Sequence, residues 1–564
     1  MLRKTSEANN LLGLRGPPDA TRSGGRGAVA YRLAIMTALC LRFNPIRHCS
    51  SKFISPYAVH EIMMKDLSYQ IRTSKVDWQL QRLSAPVLAN WKQEAMSKRV
   101  HMPANVSAVA YMHKFRPLEK CMIDRAFEEL EELARLLQIV GNEWRIGCFD
   151  SIFECDRLVP EPLHSKLVAQ LAQLGGRLGI EDRRVLGEAT FDLIDSTFYP
   201  IVNGRTWIRD AHGPRQIALP DRQAHERSDD YLSPTYQCLP TECSVNPQGQ
   251  VRIDSYINNL HPDVHVRTYD TIADILSRFV PLFDQTLSAL VVPVPRTIPV
   301  RDCKWYEEFD EEEWTRWNAE FYEAGKELED AMDGDIGEWE QWRPIIMPRP
   351  HPDFVPSSPE VLRWRVEHPE FSLKGRSIQI FVKLKCIELS PDRPDYGGTT
   401  WEVEGLKNEC IVATGVFCYD QENVTESNID FRGTHDRKKL PPGYEIDCHG
   451  VLNVFGGFRK LLVFHLVDPT ERILSTRDIA PQQPTWIDHT IIASRPAGAT
   501  SPGSAIPLSF VDMLLNELWC RILHLNDGPM TWEEMQLHRE NMSDERFLSI
   551  EAHSADVYER SFYD

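Results

Sequence analysis

Ile378-Gln379-Ile380-Phe381-Val382-Lys383-Leu384-Lys385-Cys386 is the stretch on which the fold turns. Ile378, Ile380, Val382, Leu384 and Cys386 alternate with Gln379, Phe381, Lys383 and Lys385. That period of two is the mark of a strand with one face in a core. Ile411 to Tyr419 and Lys460 to Val467 read as further strands, which makes 370–490 a β-rich core.

Upstream the period changes. Met122, Ala126, Phe127, Leu130, Leu133, Leu137 and Val140 share one stripe, with Glu128, Glu129, Glu131 and Glu132 opposite, so 119–140 is an amphipathic helix. Residues 163–175 and 269–290 read as two more helices, and 55–300 as a mainly helical N-terminal domain. Residues 301–369 join the two halves. In 305–343, Trp305, Trp314, Trp317, Trp339 and Trp342 interleave with acids such as Glu307 and Asp310. This is either a long helix with a solvated acidic face and Trp anchors, or an acidic partner-binding segment. A proline-rich connector, Pro344 to Pro359, follows.

Downstream, 491–564 reads as a linker and helices. Phe510, Met513, Leu514 and Leu518 make one stripe, and Thr531 with Glu534 forms a capping box for another helix. The fold class is therefore α+β: a helical N-terminal region, a β-rich core and flanking helices.

The chain has 564 residues, enough for several domains. Its 63 Lys plus Arg against 82 Asp plus Glu give a net charge of −19. That balance speaks against tracking nucleic-acid phosphates or docking on anionic lipid. No run of 18 apolar residues exists; the best, Ala28 to Leu41, is broken by Arg32. Thirteen cysteines without a Cys-x-x-Cys pair read as reduced thiols of an intracellular protein, in the cytoplasm. Residues 1–54 form a basic tail. Positions 1–52 hold nine Lys or Arg but only Glu7 and Asp19 as acids. Disorder is the first reading and an organelle-targeting peptide the alternative. Substrate, protein partner and oligomeric state stay open.

Motifs for chemistry are sparse. There is no glycine-rich phosphate loop, no Gly-x-Ser-x-Gly and no His-Glu-x-x-His. Four His-x-Asp/Glu pairs occur, at His261, His351, His368 and His538. With 18 histidines and 82 acids, chance supplies about two or three, so all four are read as structural. More informative is Gly397-Gly398-Thr399-Thr400-Trp401-Glu402-Val403-Glu404-Gly405. Glu402 and Glu404, two apart on a strand, share a face. Two such carboxylates are a hard-cation site, an acid/base pair or a solvated pair.

Several runs resemble, in order, a fungal family known as domain of unknown function 4246. They are Phe198 to Thr206, Ser255-Tyr-Ile-Asn-Asn-Leu-His-Pro262, Gly375 to Leu384, Trp401 to Phe417, and Asp420 to Glu426 with Phe431-Arg432. Phe458-Arg-Lys-Leu-Leu462, leading into Leu466-Val-Asp-Pro469, completes the series. The C-terminal part of that family resembles the iron(II)/2-oxoglutarate dioxygenases, which are double-stranded β-helix (jelly-roll) enzymes. The resemblance implies Fe(II) and 2-oxoglutarate as cofactors, with Glu404 as the carboxylate ligand and Arg459 as the arginine that forks onto the cosubstrate carboxylate.

This chain departs from the motif, which runs Trp-His-x-Glu-Gly, then Gln-His, then Gly-His-Arg-Lys. Glu402 stands where the first His belongs, and the distal Gln-His segment is missing. Only 55 residues separate Glu404 from Arg459, whereas a jelly-roll path needs about six strands plus turns. The barrel is expected to be incomplete. Either this copy has lost its iron site, or an exon absent from the sequence would restore it, so enzymatic activity is left open. Three readings follow: a degenerate oxygenase, a non-enzymatic interaction protein using 305–343, and a hard-cation site at Glu402 and Glu404.

Overall fold

The computed structural model describes residues 34–38, 59–75, 77–97, 118–141, 144–147, 152–177, 190–210, 213–216, 232–292, 297, 315, 358–387, 405–420, 460–484, 486 and 529–553. The alternating stretch forms the long strand at its centre. In chain order the strands are β1 (Ala34–Ala38), β2 (Arg145–Ile146), β3 (Ile152–Cys155), β4 (Thr190–Ile194), β5 (Ile201–Val202), β6 (Trp207–Asp210) and β7 (Gly213–Gln216). They continue as β8 (Tyr236–Gln237), β9 (Thr241–Val245), β10 (Val251–Ile253), β11 (Ser377–Ile387), β12 (Ile411–Asp420) and β13 (Lys460–Val467). The helices are α1 (Val59–Ser74), α2 (Trp78–Gln81), α3 (Ala85–Ser97), α4 (Lys120–Val140), α5 (Glu161–Arg177), α6 (Val266–Val291), α7 (Pro359–Glu367) and α8 (Trp532–His553).

Nine strands form one antiparallel sheet in the order β10-β9-β11-β13-β12-β1-β3-β2, with β4 beside the far half of β11. Two ribbons, β5–β8 and β6–β7, stand apart. Among the described residues no sheet closes into a barrel; β10, β4 and β2 are the open edges of the nine-stranded one. The fold is thus mixed helix and antiparallel sheet. The sheet draws β2, β3, β4, β9 and β10 from the stretch read as mainly helical, and β1 from within the basic N-terminal stretch. These strands span two to five residues, too short to give a period-two signal.

Strand alternation gives the sheet two unlike faces. Ile378, Ile380, Val382 and Leu384 of β11 and Phe464 and Leu466 of β13 point to one of them. There they pack on Ile272, Ile275, Phe279 and Phe283 of α6. The Phe279 and Phe464 rings meet edge to face at 5.5 Å. α5 covers the same face through Leu167 and Leu171. A separate apolar cluster ties α4 to α1, α2 and α3 through Met64, Trp78, Trp91, Met122 and Leu130. Gly141 ends α4 in the left-handed conformation, φ 62°, a glycine C-cap.

No helix among the described residues is long and apolar enough to cross a membrane. None of the seven cysteines among them is in a disulfide, and five are buried. The Phe510–Leu518 stripe lies outside the described residues, as does 305–343 apart from Thr315.

Candidate functional site

The other face of the sheet is polar and still buried. Gln379 and Phe381 of β11, Glu242 of β9, Thr414 of β12 and His465 of β13 point to it. Thr414, His465 and Phe381 stand side by side across three strands. His465 is fully buried, and its Nδ1 lies 2.9 Å from Thr414 Oγ1.

Three polar clusters cover this face. In the first, Glu242 Oε1 accepts from Gln379 Nε2 at 2.9 Å, Ser475 Oγ at 2.8 Å and an Arg472 guanidinium N–H at 3.1 Å. Gln379 also donates to the Ile473 carbonyl and accepts from the Ile473 amide. The segment after β13 is therefore sewn to the sheet by side-chain amides and carboxylates.

The second cluster is a knot of amides. Gln483 Nε2 donates to both Asn258 and Asn259, each at 3.2 Å. Asn258 donates to the Phe198 carbonyl and Asn259 to that of Asp195, each at 2.7 Å. Gln482 donates to the carbonyls of Tyr199 and Pro200. Tyr199 and Asn259 both have left-handed backbone, φ 49° and 68°. Such conformations persist in residues other than glycine only where the surroundings over-determine them, and the knot does so here.

The third cluster is the seat of α8. Met530, Met535 and Met542 sink among Phe198, Tyr236, Phe381, Ile411 and Val467. Three arginine–carboxylate pairs flank them: Arg205 with Glu534 at 2.7 Å, Arg539 with Asp195 at 3.1 Å, and Arg546 with Glu409 at 3.0 Å. Thr531 caps the helix, accepting from the Glu534 amide, while the Glu534 side chain turns to Arg205 instead of completing the capping box. Burial would raise the Asp195 pKa, but Lys383, Arg539 and Thr197 outweigh it and hold the carboxyl below its ordinary range. Burial likewise opposes the Arg546 charge, and Cys238 and Glu409 together hold its pKa above the usual value. Glu242, Asp195, Glu409 and Glu534 are thus each paired with an arginine, while burial holds the Glu545 carboxyl on α8 above its ordinary range.

Glu402, Glu404 and Arg459 lie outside the described residues. Their described neighbours flank the β12–β13 ladder at opposite ends. Gly405 precedes the Ile411–Val467 end, and Lys460 pairs with Asp420 at the other. Gly405 is packed tightly: a Cβ there would come within 2.8 Å of Ile411 Cδ1 and 3.0 Å of Glu409 Cβ. The described histidines of the His-x-Asp/Glu pairs make ring and hydrogen-bond contacts near and far along the chain. His261 accepts from the Asp263 amide and packs on Trp486, His368 stacks on Trp364, and His538 faces Tyr236. His351 is outside the described residues. Among the described residues no group of three His, Cys, Asp or Glu is placed to hold a metal ion.

Residue reading alone missed Glu242, Gln379, Asp195, Glu409, Gln483 and the three arginines. Of these, Arg205, Gln379 and Glu409 fall in the ordered runs Phe198–Thr206, Gly375–Leu384 and Trp401–Phe417, whereas Glu242, Asp195, Gln483, Arg539 and Arg546 lie outside every run and carry no local signal.

Residues 120–456 and 455–490 match the family described as a protein of unknown function, DUF4246. The chain belongs to that family. The two matched segments meet at 455–456, just ahead of Arg459. No curated protein and no solved structure matches. On the polar sheet face, residues of the two matched segments separated by more than two hundred positions come together.

Proposed function

We propose that this DUF4246 chain is an iron(II)/2-oxoglutarate oxygenase-like protein that has lost its iron site, its open sheet being an incomplete double-stranded β-helix. The observation that carries the reading is the break in the family match at 455–456. It falls where the motif calls for a distal Gln-His and the sequence passes directly to Gly457-Phe458-Arg459-Lys460. The donor set does not fit iron(II). Glu402 and Glu404 offer carboxylate oxygen without the two imidazole nitrogens of a facial triad. A carboxylate in place of imidazole adds one negative charge and hardens the site, which suits Mn(II) or Mg(II) better than redox iron. His465 lies in β13 beyond Arg459, with its Nδ1 against Thr414 in the sheet.

On this reading Arg459 is the remnant of the cosubstrate arginine. The function left to the chain is that of a binding scaffold without oxidation chemistry. The test is direct. The purified full chain, given Fe(II), ascorbate, oxygen and 2-oxoglutarate, releases no succinate above the level without protein. Iron-dependent succinate release would overturn the reading.

A further inference from the structure

α8 is held unlike the other long helices. α6 carries twelve buried residues and packs on the sheet through aliphatic and aromatic side chains. α8 instead puts Met535 and Met542 into an apolar trough and leaves Leu537, Phe547 and Leu548 exposed. Methionines are adaptable anchors that fill a groove without demanding one packing. Beside these anchors runs a row of arginine–carboxylate pairs along its length.

The pair at its far end bears on a particular turn. Glu409 is buried, and its Oε2 accepts from the Leu406 amide at 2.7 Å. Its Oε1 accepts from the Cys238 amide at 3.0 Å and from Arg546 at 3.0 Å. The same Arg546 guanidinium reaches Cys238 Sγ at 3.1 Å. One carboxylate thus joins the turn before β12, the strand-end at Cys238 and the C-terminal helix. Asn408 braces the turn from its other side, donating to the carbonyls of Ser233 and Tyr236. At the opposite end of α8, Arg205 reaches Glu534 and the Pro529 carbonyl and has no part in the Glu409 cluster.

We propose that α8 is a latch that docks and releases as one unit, and that its docking, through Arg546, fixes the Gly405–Cys410 turn. A helix seated by adaptable anchors and ion pairs belongs to the less stable part of a structure, where sub-global opening occurs below the cost of global unfolding. When α8 lifts, Glu409 loses its counter-charge, and a buried carboxylate left alone pulls toward water. The turn it holds then loosens, and this is the turn into which the Trp401–Gly405 run leads. The latch stands or falls independently of whether Glu402 and Glu404 bind a cation.

Hydrogen exchange on the full chain decides it. Arg205→Met loosens the end of α8 remote from the turn and touches neither Glu409, Leu406 nor Cys238. If α8 opens as a unit, the Leu406 and Cys238 amides exchange roughly fivefold faster in the variant, together with the α8 amides, while the Phe464 amide in the β11–β13 ladder is unchanged. If α8 amides exchange faster and those of Leu406 and Cys238 keep their wild-type rates, the helix frays locally and the latch is refuted. Should Arg205→Met disturb the whole fold, Glu534→Gln removes the same pair with less change of volume and is read by the same amides.

Discussion

One sheet presents two faces that are held by different physics. Against α6 the contacts are those of Phe279, Phe283, Phe464 and the alternate residues of β11, in a continuous apolar core. Against α8 and the 468–486 segment the contacts are Glu242 with Gln379, the Gln483 amide knot and three arginine–carboxylate pairs, with methionines between them. Hydrophobic burial is non-directional and tolerates slow drift in sequence. A buried polar network is directional, and each member left unpaired costs its full desolvation. The first face specifies that the chain folds; the second specifies which elements sit where, and the family's runs contribute to both.

The sharpest way to break the comparison is to damage each face in turn. Phe464→Ala empties the centre of the α6 face, where Phe464 is fully buried. The expected loss is about 4 kcal/mol, seen as a fall in the denaturant midpoint with the slope unchanged. Arg546→Met strikes the polar face and leaves the Glu409 carboxylate buried without its cation. The expected loss is about 3 kcal/mol. Adding Glu409→Gln to Arg546→Met should recover only part of that loss: the orphaned charge is gone, but the glutamine NH2 then faces one of the two amide donors, Leu406 or Cys238. No such recovery is available to Phe464→Ala, whose cost is a cavity. If the double variant is no more stable than Arg546→Met, the hydrogen bonds that Glu409 accepts from the Leu406 and Cys238 amides matter at least as much as its charge pairing.

The two faces also differ in how far they could be read in advance. The apolar elements are legible: 269–290 lies within Val266–Val291 and Lys460–Val467 is a strand over its full length, as is the helix of the separate cluster, where 119–140 is Lys120–Val140. Periodicity sufficed because each of these elements buries its own stripe. The polar face has no local signature. Asp195 meets Arg539 across 344 positions and Arg205 meets Glu534 across 329. No window of sequence contains both partners, so nothing marks either as special. Gln379 was read only as the polar half of an alternating strand, yet that half faces a buried network. The candidate carboxylates Glu402 and Glu404 were singled out because they are two residues apart, the one spacing that local reasoning can exploit. The short strands β2 to β10 escaped for the same reason in reverse, being fixed by their partners and not by their own pattern.

The smallest expected effect concerns the end of α8 nearest solvent, and it sharpens the contrast through pH. Arg205 donates to Glu534 and holds its carboxyl below the ordinary value, partly against the effect of burial. A carboxylate whose pKa is lower in the folded than in the unfolded chain contributes stability above its unfolded pKa, and that contribution disappears as pH falls through the folded one. Wild type should therefore exceed Glu534→Gln in stability near neutrality by a margin that shrinks below about pH 4.5. His538 sits beside the pair, and burial lowers its pKa although Glu534 pulls the other way. Its unfolded form takes up a proton first as pH falls past 6.5, so it too weakens the fold on acidification, but in a higher window. His538→Gln removes that upper step and leaves the lower one, and Glu534→Gln chiefly removes the lower. Thermal midpoints of the three proteins from pH 7.5 to 3.5 separate the windows. Phe464→Ala, which alters no charge on the sheet, should run parallel to wild type across the whole range. A wild-type advantage over Glu534→Gln that stays constant to pH 3.5 would mean that the charge of the Arg205 pair contributes nothing to the seat of α8, leaving that end to Met530, Met535 and the Trp532–Phe198 ring contact.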